Sequence, residues 1–271
     1  MVRVAGGRPY CAGMSAFEPG RRTIGRPWCL VLAVAWCAPV AAIPPLVSGD
    51  VPTAEHGTYE LFVGYLATDS GPVTSHQIPF WELVYGITRR QELTIEAPLV
   101  LRDDPSGSAT GLGDAVLGTK VRFLGRPSED SGLSASLEIT LPTGDRDRGL
   151  GSGAVDVDLR ARAGRQISRE VVYGNVGHTW VGEDGDEPRE DTWFFALVWD
   201  HPLAARVRLL TEVYEKTADE PGAPDRLAAT IGTKMKFRER EQIHLSVGRS
   251  LRSGAAGGPD LRVYAGWRRD F

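Results

Sequence analysis

Segments of about ten residues in which apolar and polar side chains alternate run through most of this chain, and that period constrains its fold more than any other feature. The clearest covers 133–141. Leu133, Ala135, Leu137, Ile139 and Leu141 share one face, and Ser134, Ser136, Glu138 and Thr140 share the other. The next repeats it, with Val155, Val157, Leu159, Ala161 and Ala163 against Asp156, Asp158, Arg160 and Arg162. In 227–237, Leu227, Ala229, Ile231, Thr233, Met235 and Phe237 oppose Lys234 and Lys236. Neighbouring side chains of a strand point to opposite faces, so each segment has a greasy face and an ionic face.

A soluble sandwich alternates in the same way, and the connections separate the two readings. Candidate strands lie near 58–68, 76–87, 91–101, 111–124, 132–141, 153–165, 170–181, 191–199, 204–215, 226–237, 242–250 and 260–271. Tight turns fall at Arg89-Arg90, Gln166 to Arg169, His201-Pro202 and Arg238 to Glu241, with Gly125 to Ser131 slightly longer. Between them are longer gaps rich in Gly, Asp and Pro, at 102–110, 142–152, 182–190, 216–225 and 251–259. Short turns at one end and long loops at the other are the pattern of an up-and-down membrane barrel. The expectation is an all-β, transmembrane, antiparallel barrel of about twelve strands over 58–271, with both termini on the periplasmic side. No later stretch reaches the roughly 20 unbroken apolar residues of a membrane helix.

The first 42 residues read as a signal peptide. Arg21, Arg22 and Arg26 precede the apolar run Trp28 to Ala38, and Val40-Ala41-Ala42 offers a cleavage site after Ala42. Met1 and Met14 are alternative starts, and the Arg21-Arg22 pair leaves a twin-arginine route open. Residues 43–57, with several prolines and no period, read as a periplasmic lead-in. All three cysteines (Cys11, Cys29, Cys37) fall in the removed segment, which excludes disulfide frameworks and thiolate metal sites from the mature chain. What remains carries 26 basic against 34 acidic side chains, which gives no sign of nucleic-acid binding. The expected surroundings are the bacterial outer membrane, its lipid, and the barrel assembly machinery.

Aromatic placement agrees with a membrane wall. Trp81, Tyr85, Trp180, Trp193, Phe195, Trp199 and Trp267 lie near strand ends, where amphipathic rings meet the lipid–water boundary. The chain ends on Phe271, in register with Trp267, Ala265, Val263 and Leu261. A terminal aromatic on the apolar face of a last strand is similar to the signature read by the assembly machinery. Trp267 and Phe271 are the assembly-signal candidates, and Arg269 departs from the pattern.

If the greasy faces meet lipid, the other faces must share an interior, because a charge facing mid-membrane lipid costs about 2–4 kcal/mol. The acidic lumen candidates are Glu60, Glu82, Glu92, Glu96, Asp114, Glu138, Asp156, Asp158 and Glu212. The basic ones are Lys120, Arg122, Arg160, Arg162, Arg206, Arg208, Lys234, Lys236, Arg262 and Arg268. Acids dominate the first three strands and bases the last four, so the two walls meet where the barrel closes. Two readings follow: a transverse field across a water-filled pore, or cross-strand ion pairs filling a narrow lumen. No catalytic, cofactor or metal site is expected. His56, His76, His178, His201 and His244 lack metal-ligand spacing, and only a forced grouping of Asn175 and His178 with Ser246 or Ser250 would imitate a barrel lipase.

Gly111-Leu112-Gly113-Asp114, then Leu117-Gly118-Thr119-Lys120 and Phe123-Leu124, resembles a segment of the outer-membrane family named for the meta-pathway of phenol degradation. Leu141-Pro142-Thr143-Gly144-Asp145 followed by Gly149-Leu150-Gly151-Ser152-Gly153 is similar to its strand-to-loop motif. Pro79-Phe80, Glu82, Tyr85-Gly86-Ile87-Thr88, Leu93 and Pro98 also fit. The resemblance implies a barrel of transporter type over about 58–271 and, loosely, uptake of small hydrophobic or aromatic compounds. It transfers no binding residue. The combined expectation is a monomeric, cofactor-free channel or uptake barrel that is not an enzyme. Its rivals are a structural or surface-interaction barrel with a plugged lumen and, less favoured, a lipase-type enzyme.

Overall fold

The computed structural model describes residues 45–126, 129–183, 188–252 and 260–271. The signal peptide expected at 1–42 and its cleavage site lie outside the described residues. The strands are β1 (Tyr59–Asp69), β2 (Thr74–Thr88), β3 (Gln91–Glu96), β4 (Leu99–Asp104), β5 (Gly107–Leu112), β6 (Ala115–Leu124), β7 (Gly132–Leu141), β8 (Asp156–Ile167), β9 (Glu170–Trp180), β10 (Thr192–Ala204), β11 (Val207–Lys216), β12 (Arg226–Arg238), β13 (Glu241–Ser250) and β14 (Leu261–Asp270). All belong to one antiparallel sheet, and β1 pairs with both β2 and β14, which closes it. β3 and β4 are halves of one wall strand, as are β5 and β6, so the closed barrel has twelve strands. No helix among the described residues is long and apolar enough to cross a membrane.

The greasy stripes face outward. Leu133, Leu137, Leu159, Val176, Leu197, Val213, Ile231, Leu245 and Val247 are all exposed, and their strand neighbours Ser134, Ser136, Arg160, Arg162 and Glu212 are buried. Among the described residues no second sheet covers the stripes. In water this belt would be an unstable surface, and in acyl chains it is the required one. Trp180 and Trp193 mark the loop end of the belt, and Trp199 marks the turn end.

Two stretches differ from the expectation. The outer loop expected at 102–110 is instead the hairpin β4–β5, turning at Pro105-Ser106. The wall strands are broken lower down, at Ala97-Pro98 and at Gly113-Asp114. Pro98 has no N–H to give to a ladder, and its carbonyl instead accepts from Gly113 N at 2.9 Å. The turn expected at His201-Pro202 lies at Ala205-Arg206, because β10 runs on through Pro202 with a register shift before Ala204. A bulge absorbs the missing donor.

Candidate functional site

The interior of this barrel is occupied by its own N-terminal segment. The stretch expected to lead in through the periplasm runs, over the residues described, up the lumen from the turn end to about mid-height. Leu46, Val47, Ser48, Val51, Thr53 and Ala54 are buried. A chain without period or secondary structure has free amides, and the inward carboxylates take them. Glu212 accepts from Val47 N at 3.0 Å and from Ser48 N at 2.7 Å, and Glu92 accepts from Ala54 N at 2.6 Å. Arg262 and Ser246 donate to the Pro45 carbonyl. Lower down the segment lies flush on the wall at Gly86, where an added Cβ would collide with the Glu55 carbonyl oxygen. Gly57 N donates to Gly86 O at 2.8 Å, and β1 begins two residues later.

Asp50 is the ionic pin of the segment. Its carboxylate lies 3.6 Å from Lys120 and 3.5 Å from Lys234, which stand on opposite sides of the lumen. Burial pushes the Asp50 carboxyl up, but Lys234, Lys120, Arg268 and Arg162 together outweigh it and hold the group at about 2. A carboxyl lowered on docking contributes its stabilisation above its ordinary value and loses it as pH falls through the docked value. The segment should therefore stay docked from neutral pH down to about pH 4, with release confined to pH near 2. Channel conductance recorded between pH 7 and pH 4 is the check. A rise already complete at pH 5 would refute the pinning role, and Asp50→Asn should reproduce the acid state at pH 7.

The wall behind the segment is not uniformly ionic. Leu46 and Val51 pack on Val171, Tyr173, Val198 and Leu210, and Val47 packs on Phe194, Tyr214 and Ala228. Ala54 meets Phe62 and Val84 across the lumen. Burying these three larger side chains is worth about 1.5–3 kcal/mol each, against about 1–2 kcal/mol for fixing each backbone unit. Summed over the ten residues of the segment the backbone cost outweighs the burial of three side chains, so the carboxylate–amide bonds and the Asp50 pin decide whether the segment stays. Sequence reasoning missed this apolar lining. Its signal is present in β9 and β10, where Val171, Tyr173, Phe194 and Val198 give the inward face the same apolar character as the outward one.

The inward candidates divide by role. Glu92, Lys120, Glu212, Lys234 and Arg262 hold the lumenal segment directly. Arg160 also reaches it, with its guanidinium 4.3 Å over the Phe194 ring, 3.4 Å from Asp158 and 3.4 Å from the Val47 carbonyl. Arg162 lies 3.9 Å from Glu138 and donates to Ser136. Arg268 pairs with Glu60 at 2.8 Å across the closing seam, where the acidic and basic walls meet. Arg208 is held by Asp200 at 2.6 Å. Glu82 and Glu96 are direct cross-strand partners, both buried. Arg206 and Lys236 are exposed at the turn-end mouth.

Three candidates work at the ends of the wall, away from the lumenal path. Arg122 donates to the carbonyls of Leu124, Glu129 and Ser131 and folds the turn after β6. Asp156 accepts from Gly182 N at 2.9 Å at the loop end. Asp114 sits at the β5–β6 break and accepts from Gly144 N at 2.9 Å and Ser152 N at 2.6 Å. Thr143 completes this clasp by donating to Gly113 O. The clasp brings Leu150 of the loop against Gly111, where a Cβ would meet its methyl at 2.8 Å. The two glycine motifs of the sequence are thus the two sides of one contact. Among the described residues no group of three His, Cys, Asp or Glu could hold a metal ion.

A closed twelve-stranded sheet with a greasy exterior and an ionic interior, sealed around its own leading segment, is a bacterial outer-membrane β-barrel. The sequence of residues 49–260 matches the family described as MetA-pathway of phenol degradation, and the chain belongs to that family. An outer-membrane channel from Pseudomonas putida F1 has a similar fold, with a TM-score of 0.70 and 18% identity over 85% of this chain and 100% of that one. The NanC porin is similar at a TM-score of 0.54 and 8% identity, over 78% of this chain and 98% of that one. No curated protein matches the chain in sequence.

Proposed function

We propose that this barrel is a passive uptake channel for small hydrophobic or aromatic solutes, and that residues 45–54 occupy its path until displaced. The observation that carries this reading is the apolar patch beneath Leu46, Val47 and Val51. A pore for hydrophilic solutes has no use for Phe194, Tyr214, Tyr173 and Leu210 on its inner wall. A solute with an aromatic ring can take the place of the three segment side chains on the same surface. The family supports the reading through its link to phenol breakdown, and the fold is shared with a protein that is a channel. The signal peptide at 1–42 would bring the chain to the periplasm. Trp267 and Phe271 would present it to the assembly machinery. Trp267 pairs with Val63 and Ile243, and Phe271 N donates to Tyr59 O at 2.8 Å, so the terminal aromatic is tied to the closing seam.

The test is initial uptake of radiolabelled phenol and toluene at limiting concentration by cells with an intact lipopolysaccharide layer. Cells carrying the barrel should take up the aromatics several times faster than cells lacking it. Equal rates would remove the uptake reading and leave the plugged structural barrel, which the occluded lumen also accommodates.

A further inference from the structure

The turn end of the lumen opens into a cavity of about 420 Å³ on the wall formed by the end of β8, the β8–β9 turn and β10 to β13. Its charge is one-sided. Arg169, Arg206, Arg208, Lys234 and Lys236 all line it, and no acidic side chain does. Arg208 is engaged by Asp200 at 2.6 Å and Lys234 by Asp50 at 3.5 Å. Arg169, Arg206 and Lys236 have no carboxylate within 4.0 Å among the described residues. Cations gathered on a concave surface raise the local concentration of anions, because the low-dielectric wall focuses their field. Arginine forks also match a carboxylate in geometry as well as in charge.

The rest of the lining is apolar or neutral: Pro202, two alanines, a valine and two glutamines. A bare inorganic ion would leave that floor unused. The volume falls in the range of small-molecule sites, where an apolar body is held by a few placed charges. We propose that this periplasmic vestibule binds small organic carboxylates, with the acid group against Arg206 and Lys236 and the hydrocarbon body against Pro202 and its small neighbours. The site goes beyond uptake of neutral solutes. It is judged by binding, so its success or failure does not depend on transport through the lumen.

Fluorine NMR of fluorobenzoate with the folded full-length protein, in an uncharged detergent at low salt, tests the proposal. Saturable binding is expected, with the doubly reversed R206E/K236E variant weakened about tenfold or more. Raising salt to about 0.5 M should release the ligand, since charges at an open mouth are screened over a few ångströms. The conservative R206K variant should retain binding, and fluorobenzyl alcohol should not compete. Both reversed residues are exposed, Arg206 in the β10–β11 turn and Lys236 near the end of β12, and unchanged heat-dependent gel migration confirms that the variant is folded. Wild-type affinity in the reversed variant, or equal binding of acid and alcohol, would overturn the proposal. Two further results would also overturn it. Inorganic phosphate binding more tightly than benzoate would make this a bare-anion site, and phosphatidylglycerol displacing benzoate at trace levels would make it a lipid-headgroup site.

Discussion

Deleting residues 45–54 should raise the single-channel conductance of this barrel about fivefold or more. A twelve-stranded wall encloses a lumen wider than a side-chain-filled eight-stranded barrel and narrower than an open porin, so one chain running up it blocks most of the cross-section. Its removal uncovers the aliphatic and aromatic wall together with the carboxylates of Glu212 and Glu92. The barrel itself should still assemble. β1 starts at Tyr59, and the wall contact of Gly57 with Gly86 lies outside the deletion. Planar-bilayer recording of intact and deleted protein is the measurement. Glu212→Ala provides a smaller step in the same direction, because it orphans the Val47 and Ser48 amides without shortening the chain. Identical conductance in all three proteins would show that the segment leaves the lumen once the barrel is in a membrane. The path would then be set by the wall alone.

Asp114→Ala should destabilise the folded barrel by about 2–4 kcal/mol and free the loop after β7. The carboxylate is 2% exposed and is the acceptor for two backbone amides of that loop. A buried amide left without an acceptor costs about 1–3 kcal/mol, and bonds to a charged acceptor lie at the upper end. The neighbouring wall is already weak, because among the described residues β5 has β4 as its sole strand partner and Pro98 interrupts the ladder beside it. Urea unfolding in detergent gives the energy, and protease cleavage at Arg146 or Arg148 reports the loop. Asp114→Asn keeps one acceptor oxygen and should lose about half as much. If the alanine variant unfolds at the same urea concentration as the parent, the clasp is an ornament of the loop and not part of what holds it.

Much of this architecture is legible in the amino-acid sequence alone. The strand expected at 132–141 coincides with β7, and the outward stripe on it follows from the period of two that every strand has. The misplaced turn at His201-Pro202 and the missed β4–β5 hairpin have one cause. Proline, aspartate and glycine read as loop residues, but in a barrel the neighbouring strands can carry a bulge or an interruption that an isolated strand could not. The inward ionic residues are legible as a set and not in their tasks. Glu212 and Lys120 look alike in the sequence to Glu82 and Arg208, because what separates them is contact with a segment that has no pattern of its own.

Local alternation along the chain determined the barrel, its strand count and the division between a lipid face and an interior face. Those choices depend on neighbours two residues apart and on the cost of placing charge in hydrocarbon. Only the tertiary structure decided what fills the interior. Glu212 meets Val47 across 165 positions of sequence and Arg262 meets Pro45 across 217. An irregular segment takes its conformation from whichever acceptors and apolar walls surround it, and those surroundings exist only once the sheet has closed.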